Sequence, residues 1–220
     1  MIAGFCRAAT DGFTFLKVAE ALPVQKLETV YPEIAGQTFT YLGKGKQCFV
    51  FASADGQTVL KLVRKTKRLP EERVSYRLAF EELKAETGLI ALHLEKSAPI
   101  LATLIDKLNI AHKVDLGDLE FMVQKRATLV FPTLTALMEK GDVAGAKMAV
   151  KKLVQLLEAR RVKGIADRDP NVRKNFGFIG TEPIQIDVGR FSKGKTGPHF
   201  KEGELAEWIA KHYPELKEAL

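Results

Sequence analysis

Two glycines flank a lysine at Gly43-Lys44-Gly45, and a second lysine, Lys61, lies inside the apolar run 58–63. Glycines in a turn let backbone N–H groups approach phosphate oxygens with no side chain in the way. Lys61 follows one hairpin later, and a lysine there becomes functional when an acidic partner holds it against phosphate. Glu86 suits that part: it lies three residues from Leu83 and four from Ile90, beside the apolar face of a helix, with Glu82 one turn earlier as the alternative. Further on, Asp169, Asn175 and Asp187 follow in fixed order. An apolar strand ending in Asp-x-Gly exposes its carboxylate at the sheet rim, beside Asn175 from the paired strand. A carboxylate and an amide oxygen converging there suit a hard divalent cation such as Mg2+. Taken singly, each residue has an ordinary structural use: Lys61 on an exposed strand face, either glutamate on a solvated helix face, Asp187 in a turn.

The elements that must position these residues are legible in outline. Residues 38–43, 48–53 and 58–64 are β-rich runs, and Asp55-Gly56 is a strong hairpin signal between the last two. Three antiparallel strands are expected, the glycine turn joining the first pair. From about Pro70 the period becomes helical: Tyr76, Phe80, Leu83, Thr87, Ile90 and Leu94 recur at three and four residues, with Gly88 as an interruption. Two further strands are expected at 109–116 and 118–126 around Gly117-Asp118, which makes five strands and one long helix. A short helix then spans 131–141, and a long one 142–164, with Asp142 as N-cap and Gly164 as stop. Two short strands, 175–180 and 183–189, enclose a turn; a basic glycine-bearing loop covers 192–198, and a helix about 201–219 closes the chain. A short helix is expected near 13–21. The organisation is an N-terminal extension (1–37), an N-terminal lobe (38–127) and a reduced C-terminal lobe (128–220).

Bulk composition excludes several classes. The 220 residues are 46% hydrophobic and 28% charged, which is ordinary for a globular protein and argues against general disorder. Net charge is +7 and the sequence pI about 9.3, which fits an anionic partner or merely a solvated basic face. The densest cluster, Lys61, Arg64, Lys65, Lys67 and Arg68, has no interleaved aromatic residues, so nucleic acid is not an expected partner. The two cysteines, Cys6 and Cys48, have no zinc-type spacing and fit a reducing compartment. No apolar run is long enough to span a bilayer. Arg7 and Asp11 fall where a secretory leader needs its apolar segment, so none is expected and the protein is read as cytoplasmic.

In this order the motifs resemble those of the protein kinase-like fold. The resemblance runs through residues 38–191, in the family's order: the glycine turn, the strand lysine, the helix glutamate, 119–126 with the hinge at 121–127, "DRDPNVRKNFGF" at 167–178 and "IQIDVGRF" at 184–191. Gly43 and Gly45 match the glycine-rich loop, Val50 the valine that lines the base pocket, and Lys61 the phosphate-contacting lysine. Glu86 matches its helix partner, Asp169 the catalytic-loop aspartate, and Asn175 and Asp187 the metal-binding pair. The resemblance implies an α+β fold of two lobes, with a five-stranded antiparallel sheet and one long helix in the first and a small, mainly helical second lobe. It also implies ATP and Mg2+ as cofactors, Lys125 to Ala127 meeting the adenine through their backbone, and transfer of the γ-phosphoryl group to a hydroxyl of an unidentified protein or small molecule.

The sequence departs from the pattern at several points. Asp169 and Asn175 are six positions apart against the family's five, which leaves Asp167 as an alternative base. Cys48 replaces the third glycine, Val188 stands where the family has phenylalanine, and only 31 residues follow Gly189. The set resembles small bacterial kinase-like proteins, some of which are effectors delivered to a host cytosol. It leaves two alternatives to an active kinase: a pseudokinase scaffold, and a basic interaction module.

Overall fold

The computed structural model describes residues 8–23, 31–194 and 203–220. Cys6, Arg7 and the loop residues 195–198 lie outside them. The chain divides into two compact bodies, one of residues 1–73 and 89–126, the other of 74–88 and 127–220. It is a mixed α+β protein with one large mixed sheet and several helices.

The first body is built on seven strands: β1 (Thr38–Lys44), β2 (Cys48–Ser53), β3 (Thr58–Val63), β4 (Leu89–His93), β5 (Leu101–Ile105), β6 (Ala111–Asp115) and β7 (Phe121–Lys125). They lie in the order β4-β7-β3-β2-β1-β5-β6. The β1–β5 pair is parallel and the others antiparallel. Period-two alternation puts Phe49, Phe51, Leu60, Leu62, Phe121 and Val123 on one face, where they form a buried cluster with Ile34, Phe39 and Leu104. Each such side chain contributes about 1.5–3 kcal/mol of burial. The β2–β3 hairpin turns at Gly56, whose φ of +70° favours glycine, and Ser53 Oγ donates to Asp55 to close the turn.

Two helical pieces follow β3: α1 (Leu69–Glu82) and the single turn α2 (Lys84–Thr87). The second body continues with β8 (Thr128–Leu129), α3 (Val130–Glu139), α4 (Val143–Val162), β9 (Ile165–Asp167), α5 (Val172–Asn175), β10 (Phe176–Ile179), β11 (Glu182–Gln185), β12 (Phe191–Lys193) and α6 (Glu204–His212). Its strands form two small sheets, β11-β10-β8 and β12-β9. Asp142 caps α4 by accepting from the Gly145 amide at 2.8 Å, as the sequence implies. The core gathers Val130, Leu134, Val150, Leu153, Phe176, Leu205 and Ile209, with Phe131 stacked on Trp208 at 4.5 Å.

Four expectations change. The sheet has seven strands and is mixed, because 89–93 and 101–105 are strands. The helical period through Ile90 and Leu94 ends early: Gly88 takes a left-handed φ of +63° as the C-cap of α2 and turns the chain into β4. Near the N-terminus, the expected helix is a single 3-10 turn, Phe15–Lys17, after which Val18, Glu20 and Leu22 make isolated bridges to Arg64, Leu119 and Glu95. The closing helix is likewise divided, α6 giving way at Tyr213 to a 3-10 segment, Pro214–Ala219.

Candidate active site

In the first body the candidate residues share one sheet face. The register sets Val50 opposite Lys61 and Lys61 opposite Met122, with Cys48 opposite Val63 and Ala52 opposite Val59 on the same face. This is the face that alternates away from the Phe49–Phe51 core. Val50 and Lys61 are half-buried there. Cys48 is buried on this face at the start of β2.

The turn itself is shaped by a residue that lies outside the motifs. Arg64 Nη1 donates to the carbonyls of Gly45 at 2.7 Å and Lys46 at 3.1 Å, and its guanidinium lies 4.9 Å from the centre of the Phe49 ring. Its amide also bonds the Gln47 carbonyl at 2.7 Å. Neither glycine has a positive φ, and a methyl group built on Gly43 meets nothing within 4 Å. On Gly45 it meets only backbone atoms at 4.0 Å. Nothing in the fold therefore demands glycine at either position, whereas close approach of a ligand would.

At the end of β7, Lys125 pairs with Thr58, and the Arg126 amide donates to the Gln57 carbonyl at 2.8 Å, so that amide is committed. Ala127 opens the second body. Two buried carboxylates in the first body were not singled out in the sequence. Glu72, 2% exposed, accepts from Thr66 Oγ1 at 2.7 Å, and Glu120, fully buried, accepts from Arg73 Nε at 2.6 Å. Only their place on otherwise apolar faces signals them.

The second body brings three of the expected residues together. Asn175 ends α5, and its Nδ2 donates to the Asp169 carbonyl at 2.7 Å, which leaves Oδ1 uncommitted among the described residues. Its own carbonyl accepts from the Ile186 amide at 2.8 Å and, more weakly, from that of Asp187 at 3.5 Å. The β10–β11 register, Phe176 opposite Gln185, thus sets Asn175 level with Asp187. Asp187 is half-buried, and its Oδ1 accepts from the Gly189 amide at 3.2 Å, leaving Oδ2. Asp169 is exposed and its carboxylate accepts no hydrogen bond from the described residues. The segment after Asp187 is stapled by Ser75 of α1, whose Oγ donates to the Val188 carbonyl and accepts from the Phe191 amide at 2.7 Å.

Asp167 is otherwise engaged. Its side chain is 1% exposed and bonded to the Asp169 amide, Gln185 and Arg160. Burial pushes its carboxyl above the usual range, against the lowering effect of the Asp169 amide and the Arg160 charge. The helix glutamates also have partners within this body. Glu86 is paired with Lys163, whose Nζ donates to the Glu82 carbonyl at 2.9 Å as well, and Glu82 is paired with Lys193 at 2.6 Å.

Among the described residues no group of three or more His, Cys, Asp or Glu side chains is arranged to hold a metal ion. The donor set present is instead one carboxylate oxygen of Asp187 and one amide oxygen of Asn175. Two hard oxygens fit Mg2+, which keeps several ligands for water and substrate phosphate. Among the described residues no helix is long and apolar enough to cross a membrane. A scan of the chain against protein-family models matches none, and a search of curated proteins finds no match either.

Proposed function

We propose that the protein is an ATP- and Mg2+-dependent phosphotransferase of two-lobed, protein kinase-like architecture, which moves the γ-phosphoryl group of ATP to a hydroxyl of a protein or small molecule. The observation that carries the reading is the alignment of Asp169, Asn175 and Asp187 by two hydrogen bonds through Asn175, one from its side chain and one to its carbonyl. Supporting it are the open space over Gly43 and Gly45 and the register that sets Lys61 beside Val50.

In this reading Val50 and the backbone of Lys125 to Ala127 hold the base, and the glycine turn and Lys61 hold the phosphates. Asn175 Oδ1 and Asp187 Oδ2 would hold Mg2+, which when bound offsets the charge that develops on the phosphoryl oxygens. Asp169 orients the acceptor hydroxyl and takes its proton as the new oxygen–phosphorus bond forms and the bond from the γ-phosphorus to the ADP oxygen breaks. Its exposure leaves it open to an acceptor. The work on the protein's side is positioning and charge stabilisation.

Lys61→Met and Asp187→Ala are each expected to abolish transfer of radiolabelled phosphate while leaving the circular dichroism spectrum unchanged. Normal transfer by both variants would overturn the reading. A second reading, a nucleotide-binding scaffold without turnover, is favoured by one observation: the Glu86 carboxylate is taken by Lys163. It predicts binding of an ATP analogue with no phosphate released or transferred.

A further inference from the structure

The hydrogen bonds around Asp167 form a path that returns on itself. Oδ1 of Asp167 accepts from the Asp169 amide at 2.9 Å. The Asp169 carbonyl accepts from Asn175 Nδ2 at 2.7 Å, and the Asn175 carbonyl accepts from the Ile186 amide at 2.8 Å. Ile186 is bonded in sequence to Gln185, whose Nε2 donates back to Oδ2 of Asp167. Arg160 of α4 reinforces the return: Nη1 donates to Asp167 Oδ2 at 3.3 Å and to Gln185 Oε1, and its guanidinium lies 5.7 Å from the centre of the Phe191 ring. Asp167 also pairs with Phe191 across β9 and β12.

Burying a carboxylate is costly unless its charge and both oxygens are matched. Here an arginine and two further donors match it. Both oxygens are occupied, and the side chain faces inward, so no acceptor hydroxyl reaches it. We propose that Asp167 is the positioning residue of the phosphotransfer site: through Asp169, Gln185 and Arg160 it fixes Asp169, Asn175 and Asp187 relative to one another. The inference rests on the phosphotransferase reading for its kinetic consequence, and on the bond path alone for its structural one.

A misplacement of about 1 Å at reacting groups costs on the order of 100-fold in rate. Asp167→Ala is therefore expected to lower kcat about 100-fold while KM for ATP stays within about threefold, since neither Lys61 nor the glycine turn depends on this path. Asp167→Asn keeps an oxygen for the Asp169 amide but turns an N–H toward the Gln185 Nε2 and Arg160 donors, and should recover kcat only in part. Hydrogen exchange without nucleotide supplies the second readout. In Asp167→Ala the Asp169 and Ile186 amides should exchange faster, with the β1–β3 amides unchanged, and Asp167→Asn should restore protection at Asp169 alone. Should Asp167→Ala fail to fold, Gln185→Met opens the Oδ2 arm alone and is expected to speed exchange at Ile186. Unchanged exchange at these amides in the folded variants, or a wild-type kcat in Asp167→Ala, overturns the proposal. If the unmodified protein transfers no phosphate at all, the phosphotransferase reading falls, and local loss of protection still supports Asp167 as the residue that holds the three groups in place.

Discussion

Gly43 and Gly45 separate a requirement of the fold from a requirement of a ligand. A methyl group on either lies in open space or at 4.0 Å from backbone. At Gly177, by contrast, it would meet the Thr128 carbonyl oxygen at 2.6 Å. Gly43→Ala and Gly45→Ala are therefore expected to change unfolding free energy by no more than about 0.5 kcal/mol, yet to weaken binding of an ATP analogue by about tenfold, read by fluorescence titration. Gly177→Ala should destabilise by about 1–3 kcal/mol, the usual range for overpacking. Affinity in both turn variants equal to that of the unmodified protein would remove the phosphate role of the turn. At this scale the sequence showed which residue types were present and in what order, but not their hydrogen-bond partners. Asp169, Asn175 and Asp187 were legible because polar residues at strand ends punctuate an apolar pattern. Arg64, Ser75, Arg160 and Gln185 were not, since each acts through partners distant in the chain and none belongs to a local pattern.

Elements fix how far those residues can be trusted to stay in place. The α1 helix carries Ser75 on its buried face with Tyr76 and Ala79, and that hydroxyl alone serves both a carbonyl and an amide of the segment after Asp187. Removing it leaves two buried backbone groups unsatisfied. Ser75→Ala should therefore lower stability by about 1–3 kcal/mol in urea unfolding, and the Phe191 amide should lose exchange protection. Retained protection there would mean that the segment is held by other contacts. The β2 and β3 strands were readable because alternation and Asp-Gly agree. The end of the helical region was misread for a physical reason. Ile90 and Leu94 continue the three- and four-residue spacing, yet β4 buries Leu89, Ala91 and His93 by strict alternation instead. Spacing cannot distinguish the two patterns over so few residues, and the left-handed conformation of Gly88 decides between them. The parallel β1–β5 pairing was out of reach for another reason: it joins residues some sixty positions apart, and no local signal reports such contacts.

Across the whole molecule, the contest is between specific and merely electrostatic recognition of an anion. A net charge of +7 draws any polyanion. The proposed phosphotransferase would respond to the metal and the nucleotide together. Mg2+ with ATP at about 100 times its dissociation constant contributes about 2.7 kcal/mol, which for a chain of this size raises the melting temperature by about 5–10 °C. Omitting Mg2+ should remove most of that shift. An equal shift from heparin without Mg2+ would favour a basic interaction module instead. Chain composition bounded the class and the alternation of elements conveyed the α+β character, whereas the seven-strand order followed from contacts that only the folded chain displays.

The bond path through Asp167 has a mechanical consequence. A linear tether fails when any one link is cut, but a closed one still holds its members by the other way round. Substitutions that cut one arm, such as those at Gln185 or Arg160, should thus be milder than Asp167→Ala, which cuts both, and two on opposite sides harsher than their sum. Tolerance to one change here is a poor guide to tolerance of the next, and the site can conceal a first lesion that makes the second one disabling.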